Sequence, residues 1–238
     1  MAVLTPDKVT SLNGVTLKEY LLTKHNPNNI SMPSKRIGAC EGITIHNTDV
    51  IKVSGTTMSE QYTRATVNGN MGTVRVHYYV DDKETWQNLP DSYMGWHAAD
   101  GSGAGNSTTI AIECIMGAET GFEKAEDNCA RLAAKLLYDN NLTIDKLYTH
   151  TYWLNIRDKV TAKDGEDLRT KKHSYKTCPL YIIPHWDKFK ATVNKYLSDL
   201  QNPKLYYVQV GAFSSKVNAE KYLSEVKKTY PNAFIKNI

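Results

Sequence analysis

At 238 residues, with 41% hydrophobic and 23% charged side chains, the chain has an ordinary globular balance and is long enough for one large domain or a domain plus a small module. A net charge of +4, from 29 Lys and Arg against 25 Asp and Glu, is too mild to argue for a nucleic-acid partner. Apolar runs such as Ile110-Ala111-Ile112 fall far short of the ~20 residues of a membrane span, and residues 1–8 carry no charged-then-apolar export signal.

Residues 1–35 are polar and turn-rich, broken at Asn26-Pro27-Asn28-Asn29 and Met32-Pro33-Ser34, with a short helix predicted around residues 17–22. Gly42-Ile43-Thr44-Ile45-His46 reads as a buried strand ending in polar Asn47-Thr48-Asp49. Residues 57–68 are helix-compatible, 74–80 read as a second strand running into Asp81-Asp82, and 86–89 as a short extended piece. Residues 101–107 read as a flexible loop. Gly101, Gly103 and Gly105 lack the GxGxxG spacing and precede a strand over 109–115, which rejects a dinucleotide or phosphate loop. The strongest helix is 123–140, its apolar face marked by Ala125, Cys129, Leu132, Ala133, Leu136 and Leu137. A short strand ends Tyr148-Thr149-His150, a charged surface loop covers 157–173, and a final helix runs over 186–200. The alternation predicts an α/β domain around a central sheet. Past a linker at 201–204 lies a small β-α-β segment: strand 205–210, helix 216–230 and strand 233–235.

Cys40, Cys114, Cys129 and Cys178 form no CxxC pair, so neither a disulfide framework nor a zinc ribbon is expected, and a reduced compartment of synthesis is the simplest reading. The 15 Tyr against 4 Phe suit polar ligands that stack on rings, and suit amphipathic surface packing equally well. Among the 7 His, His46 and His150 stand at the polar ends of predicted strands, where functional side chains of α/β sheets collect. With Cys178 they make two imidazoles and a thiolate, a set that leaves a tetrahedral zinc one open position. Taken singly, each histidine is more readily a surface or hydrogen-bonded core residue, and Cys178 as readily an inert buried thiol. Glu113 is the charged residue of an otherwise apolar strand. Buried, it needs a partner, a metal or the raised pKa that suits a general base. Facing solvent on an alternating strand is its other reading, and periodicity does not separate the two.

Ile43-Thr44-Ile45-His46-Asn47-Thr48, Gly95-Trp96-His97-Ala98, Ile110-Ala111-Ile112-Glu113, Tyr148-Thr149-His150 and Tyr175-Lys176-Thr177-Cys178-Pro179 occur in one order. The series resembles the zinc-dependent type-2 N-acetylmuramoyl-L-alanine amidases, whose fold is shared with T7-type phage lysozyme and the peptidoglycan recognition proteins. Over residues 35–200 it is similar to endolysins and autolysins of Gram-positive phages and clostridia. The resemblance implies a central mixed β-sheet flanked by helices, with Zn2+ held by His46, His150 and Cys178. It implies Glu113 as the glutamate that orients and deprotonates water, and Lys176 as the stabiliser of the developing oxyanion. Trp96 and His97 match a cleft segment that contacts substrate, and His77 a cleft-lining or supporting position; His25 and His185 match nothing. Because residues 151–174 form a long insertion between the expected ligands, His173 is a rival to His150, which is preferred because it ends a predicted strand.

The implied reaction is hydrolysis of the amide between N-acetylmuramic acid and the L-alanine of the stem peptide, in cell-wall lysis. The alternative on the same fold is a non-catalytic muropeptide-binding protein, which typically lacks the metal cysteine; a zinc protease is unsupported, as there is no HExxH helix. Residues 206–214, YYVQVGAFS, resemble the opening of a SPOR-type peptidoglycan-binding domain, of which only one half is covered. The expected organisation is a catalytic domain over 1–200 with an N-terminal extension over 1–35, a linker at 201–204 and a wall-binding segment over 205–238. The expected partner is peptidoglycan, both glycan strand and stem peptide, without nucleic acid or membrane insertion. A homodimer is expected if two half-domains pair their strand edges. Synthesis in the cytoplasm, followed by action on the wall after release through a holin, lysis or non-classical export, completes the expectation.

Overall fold

In the computed structural model, which describes residues 4–48, 57–115, 122–203 and 209–236, the chain opens with a hairpin and not with the helix expected near residues 17–22. Strands β1 (Lys8–Leu12) and β2 (Val15–Glu19) pair antiparallel across Asn13-Gly14. Both turn residues have positive φ, 51° and 83°, as a two-residue turn between right-twisted strands requires and as Asn and Gly adopt at least cost. Val15 and Leu17 are buried while Thr16 is exposed, a period of two that belongs to a strand. Residues 1–35 are therefore no mere extension, because β2 continues the main sheet by parallel pairing with β5 (Thr85–Gln87).

The remaining strands are β3 (Gly42–Asn47), β4 (Tyr78–Val80), β6 (Thr109–Cys114) and β7 (Leu147–Thr149). The seven-stranded sheet has the order β1-β2-β5-β4-β6-β3-β7. It is mixed, as expected: β4, β6, β3 and β7 run parallel, and β5 is antiparallel to β4. The strand expected over 74–80 is shorter, with Arg75 making only an isolated bridge to Trp96.

Alternation along the central strands separates the two faces. Ile43, Ile45, Ile110 and Ile112 belong to the main core with the apolar sides of α3 (Phe122–Asp139) and α5 (Trp186–Gln201), including Leu132, Leu136, Phe189 and Val193. Each such side chain contributes roughly 1.5–3 kcal/mol by leaving water. The opposite face carries Thr44, His46, Ala111 and Glu113. It is covered by α1 (Met58–Val67), whose Met58 packs with Ala111 and Tyr79, and by α4 (His150–Arg157), whose Trp153 Nε1 donates to Thr44 Oγ1 at 2.9 Å. The Asp81 carboxylate accepts from Ser59 N and Ser59 Oγ at 3.0 and 2.6 Å, anchoring the first turn of α1 to the end of β4.

Residues 101–107 are not simply a loop. They enter α2 (Ala104–Thr108), where Asp100 accepts from Gly105 N and Asn106 N. The chain divides into two compact units, Met1–Asn202 and Pro203–Ile238. In the second, α6 (Lys216–Thr229) forms as expected, and Phe213 rests on Tyr222 with ring centroids 5.3 Å apart. Residues 233–235 form no strand, nor do 209 and 210, and the rest of the expected strand 205–210 lies outside the described residues. Among the described residues no helix is long and apolar enough to cross a membrane.

Candidate active site

Parallel strands β3 and β6 place His46 directly beside Glu113 in register, one residue before the end of each strand. Strand β7 pairs with β3 through Thr149 opposite Ile45, so His150 emerges at the same carboxyl end of the sheet, where α/β proteins form ligand sites. His150 does not end the strand, as expected from sequence; it is the first residue of α4. Thr149 causes the change of structure, since its hydroxyl accepts from Tyr152 N at 3.0 Å as an N-cap and donates to Arg169 O at 2.6 Å.

Cys178 is distant in sequence and is brought back by two reciprocal bonds. Cys178 N donates to Thr151 Oγ1 at 2.7 Å, and Thr151 N donates to Cys178 O at 2.9 Å. The intervening insertion folds on itself: Asn155 Nδ2 donates to Leu168 O and Lys171 O. His173 belongs to this scaffold. Its Nε2 meets Asp158 Oδ2 at 2.7 Å, and its Nδ1 accepts from Tyr175 N at 3.0 Å, so both nitrogens are engaged away from the ligand cluster.

The ligating atoms of His46, His150 and Cys178, all buried, lie within 4.8 Å of one another. His46 Nδ1 stands 3.8 Å from Cys178 Sγ and 3.9 Å from Glu113 Oε1, while His46 Nε2 faces His97 Nδ1 at 3.1 Å. Neither ring nitrogen of His150 makes a hydrogen bond of normal geometry, although the Ala98 carbonyl lies close enough to favour the protonated ring. Two imidazoles and a thiolate, one imidazole with both buried nitrogens unbonded, fit a zinc ion with one position left open. Burial, with Lys176 adding its positive charge, lowers the His150 pKa to about 3. Burial likewise holds His46 well below the usual value, with His150, His97 and Lys176 contributing. Both rings are thus neutral at neutral pH, the form that donates a lone pair to a metal.

Glu113 has a side chain 17% exposed, so it reaches the site and also solvent. Lys176 is exposed, and its charge is felt by both histidines. Trp96 is half-buried, whereas His97 is 6% exposed and is not a rim residue; burial pushes its pKa well down. His77 does not line a cleft. It is fully buried, its Nε2 paired with Tyr93 O at 3.0 Å and its Nδ1 accepting from Ala111 N at 3.1 Å. His25 pairs with Asp7, and His185 with Glu126. None of the four cysteines forms a disulfide. Sequence reasoning missed Thr151 and Asn106 as supports of this site because their partners, Cys178 and the 97–98 backbone, become adjacent only on folding, and it missed Thr149 although its N-cap bond to Tyr152 N is local.

Residues 36–180 match the family described as N-acetylmuramoyl-L-alanine amidase, and residues 202–238 match the SPOR domain. N-acetylmuramoyl-L-alanine amidase XlyA of Bacillus subtilis is 32% identical over 151 residues, 63% of this chain and 43% of that protein. N-acetylmuramoyl-L-alanine amidase CwlH of the same organism is 32% identical over 149 residues, 62% of this chain and 50% of that protein. The chain thus spans half or less of the length of these relatives. A solved mutant endolysin from Bacillus subtilis has a TM-score of 0.59 at 30% identity, covering 75% of this chain and 99% of that one. The matched residues include the strands bearing His46 and Glu113, the start of α4 with His150, and Cys178, and on that ground the chain belongs to the N-acetylmuramoyl-L-alanine amidase family.

Proposed function

We propose that the chain is a zinc-dependent peptidoglycan hydrolase that cleaves the amide between N-acetylmuramic acid and the L-alanine of the stem peptide. The observation that carries this reading is the convergence of His46, His150 and Cys178 beside the Glu113 carboxylate at one end of the sheet. Zinc bound by these three residues would supply Lewis acidity, polarising the amide carbonyl and acidifying water. Glu113, beside the ligand set and open to solvent, takes the proton from the attacking water and passes it to the leaving nitrogen. Lys176 adds a positive charge where the carbonyl oxygen becomes negative. The half-buried Trp96 offers an apolar face to the sugar or peptide. The complete ligand set supports hydrolysis over muropeptide binding alone. Residues 203–238, which lie within the 202–238 match to the SPOR domain, are read as the segment that retains the chain on the wall. No observation supports a homodimer through that segment, and the proposal is for a single chain acting on the cell wall in an endolysin or autolysin role.

The test is metal analysis together with digestion of purified cell walls. We expect about one zinc per chain, chelator-sensitive clearing, and new N-terminal alanine among the products. Glu113→Gln should keep zinc but slow hydrolysis by about 10²–10⁴-fold. New reducing sugar ends without N-terminal alanine, or full activity of Glu113→Gln, would overturn the assignment.

A further inference from the structure

We propose that His97 is a positioning residue for His46: it accepts the Nε2–H of that ring and so holds the lone pair of His46 Nδ1 towards Cys178 and His150. This role rests on the metal reading above. A neutral imidazole carries one proton. The nitrogen of His46 that faces the other ligands is Nδ1, so a metal-binding His46 must carry its proton on Nε2, and the atom across from Nε2 must be an acceptor. That atom is His97 Nδ1, 3.1 Å away. The reverse bond, from His97 Nδ1–H to His46 Nε2, would put the His46 proton where the metal belongs.

Two further features converge on the same ring. With Nδ1 as acceptor, the proton of His97 sits on Nε2, a buried atom with no hydrogen-bond partner. It lies against Gly95, where an added Cβ would come within 2.4 Å of His97 Cδ2 and 3.1 Å of Nε2. A buried polar atom left without a partner calls for an explanation, and service of the opposite nitrogen to a ligand supplies one. The His97 backbone is also clamped. Asn106 Oδ1 accepts from His97 N at 2.7 Å and Ala98 N at 2.8 Å, and Asn106 is itself held by Asp100 and by its own bond to Gly101 O. Asp100, Asn106, His97 and His46 thus form one strut ending at the ligand set. The family resemblance implies that His97 touches substrate; a buried ring whose second nitrogen faces Gly95 does not present itself to a polymer.

The test compares His97→Leu, which removes the acceptor, with His97→Asn, whose side-chain oxygen falls near the place of Nδ1. Zinc affinity is read by chelator competition, and the His46 Nε2–H by proton–nitrogen NMR of the zinc-loaded full chain. We expect the parent to show a slowly exchanging His46 Nε2–H. His97→Leu should lose that signal and about 10–100-fold in zinc affinity, and His97→Asn should recover most of both. Gly95→Ala, which displaces the ring and leaves His97 in place, should weaken zinc in the same way and serves if His97→Leu does not fold. Unchanged zinc affinity in His97→Leu, or equal losses in the Leu and Asn variants, overturns the role of His97 and leaves the hydrolase reading standing. A parent chain that takes up no zinc overturns both.

Discussion

Histidines of one side-chain chemistry are given different tasks by the partners that each meets. His77 spans two backbone groups, accepting from Ala111 N and donating to Tyr93 O, so a second proton on its ring would face a backbone N–H. Burial accordingly lowers its pKa from 6.5 to about 4. The unfolded chain takes up that proton as pH falls below 6.5, and the folded chain resists until about 4. The stability present at neutral pH is therefore lost as pH falls through that window, by up to about 3 kcal/mol for this residue. His46, His97 and His150 act in the same direction. Urea denaturation at pH 7 and pH 4.5 should show the loss, and His77→Gln, less stable at neutral pH, should lose less on acidification. At this scale His46, Glu113, His150 and Cys178 were legible because they stand in short ordered motifs. The roles of His77, His97 and His173 were not, since their partners lie up to 51 residues away in sequence.

Among the elements, α3 was the most readable: its six apolar positions at helical spacing are all buried. The β1–β2 hairpin carried an equally clear local signal in Asn13-Gly14 between alternating residues, which reading residues 1–35 as a polar extension overlooked. Helix α4 was hidden because its charged end and the following loop read as one surface segment, although Thr149 is a ready N-cap. Thr149→Ala removes both the cap and the bond to Arg169 O and should cost about 1 kcal/mol, measured as a lower denaturation midpoint. Because α4 presents His150 and, through Thr151, Cys178, the same change should also weaken zinc binding; unaltered stability would show that the cap is not what starts this helix.

For the whole molecule, the division at Asn202 separates a unit with a large buried apolar core from a unit of a few dozen residues whose helix α6 buries none of its side chains. A unit that small gains little from apolar burial. A chain ending at Asn202 should therefore fold, bind zinc and cleave soluble muropeptides much as the full chain does. On intact walls it should bind roughly tenfold or more weakly, since linked binding modules raise apparent affinity by that order and above. Co-sedimentation with purified walls measures this, and equal retention of both forms would remove the wall-binding role from residues 203–238.

Local patterns in the chain were enough to establish the α/β class, the core face of α3 and α5, and the identity of the residues that gather at the site. The class and the core faces depend on the spacing of neighbours along one element, which is written in the primary structure, whereas the site residues were reached through the resemblance that their ordered motifs carry. That His150 and not His173 stands with His46 and Cys178, which nitrogen of His46 faces Cys178, and how Cys178 returns across a long insertion were decided by strand register, the Thr151–Cys178 bonds and the His46–His97 contact. Hydrogen bonds act over about 3 Å, and residues far apart along the chain come within that distance only when the sheet and its covering helices have formed.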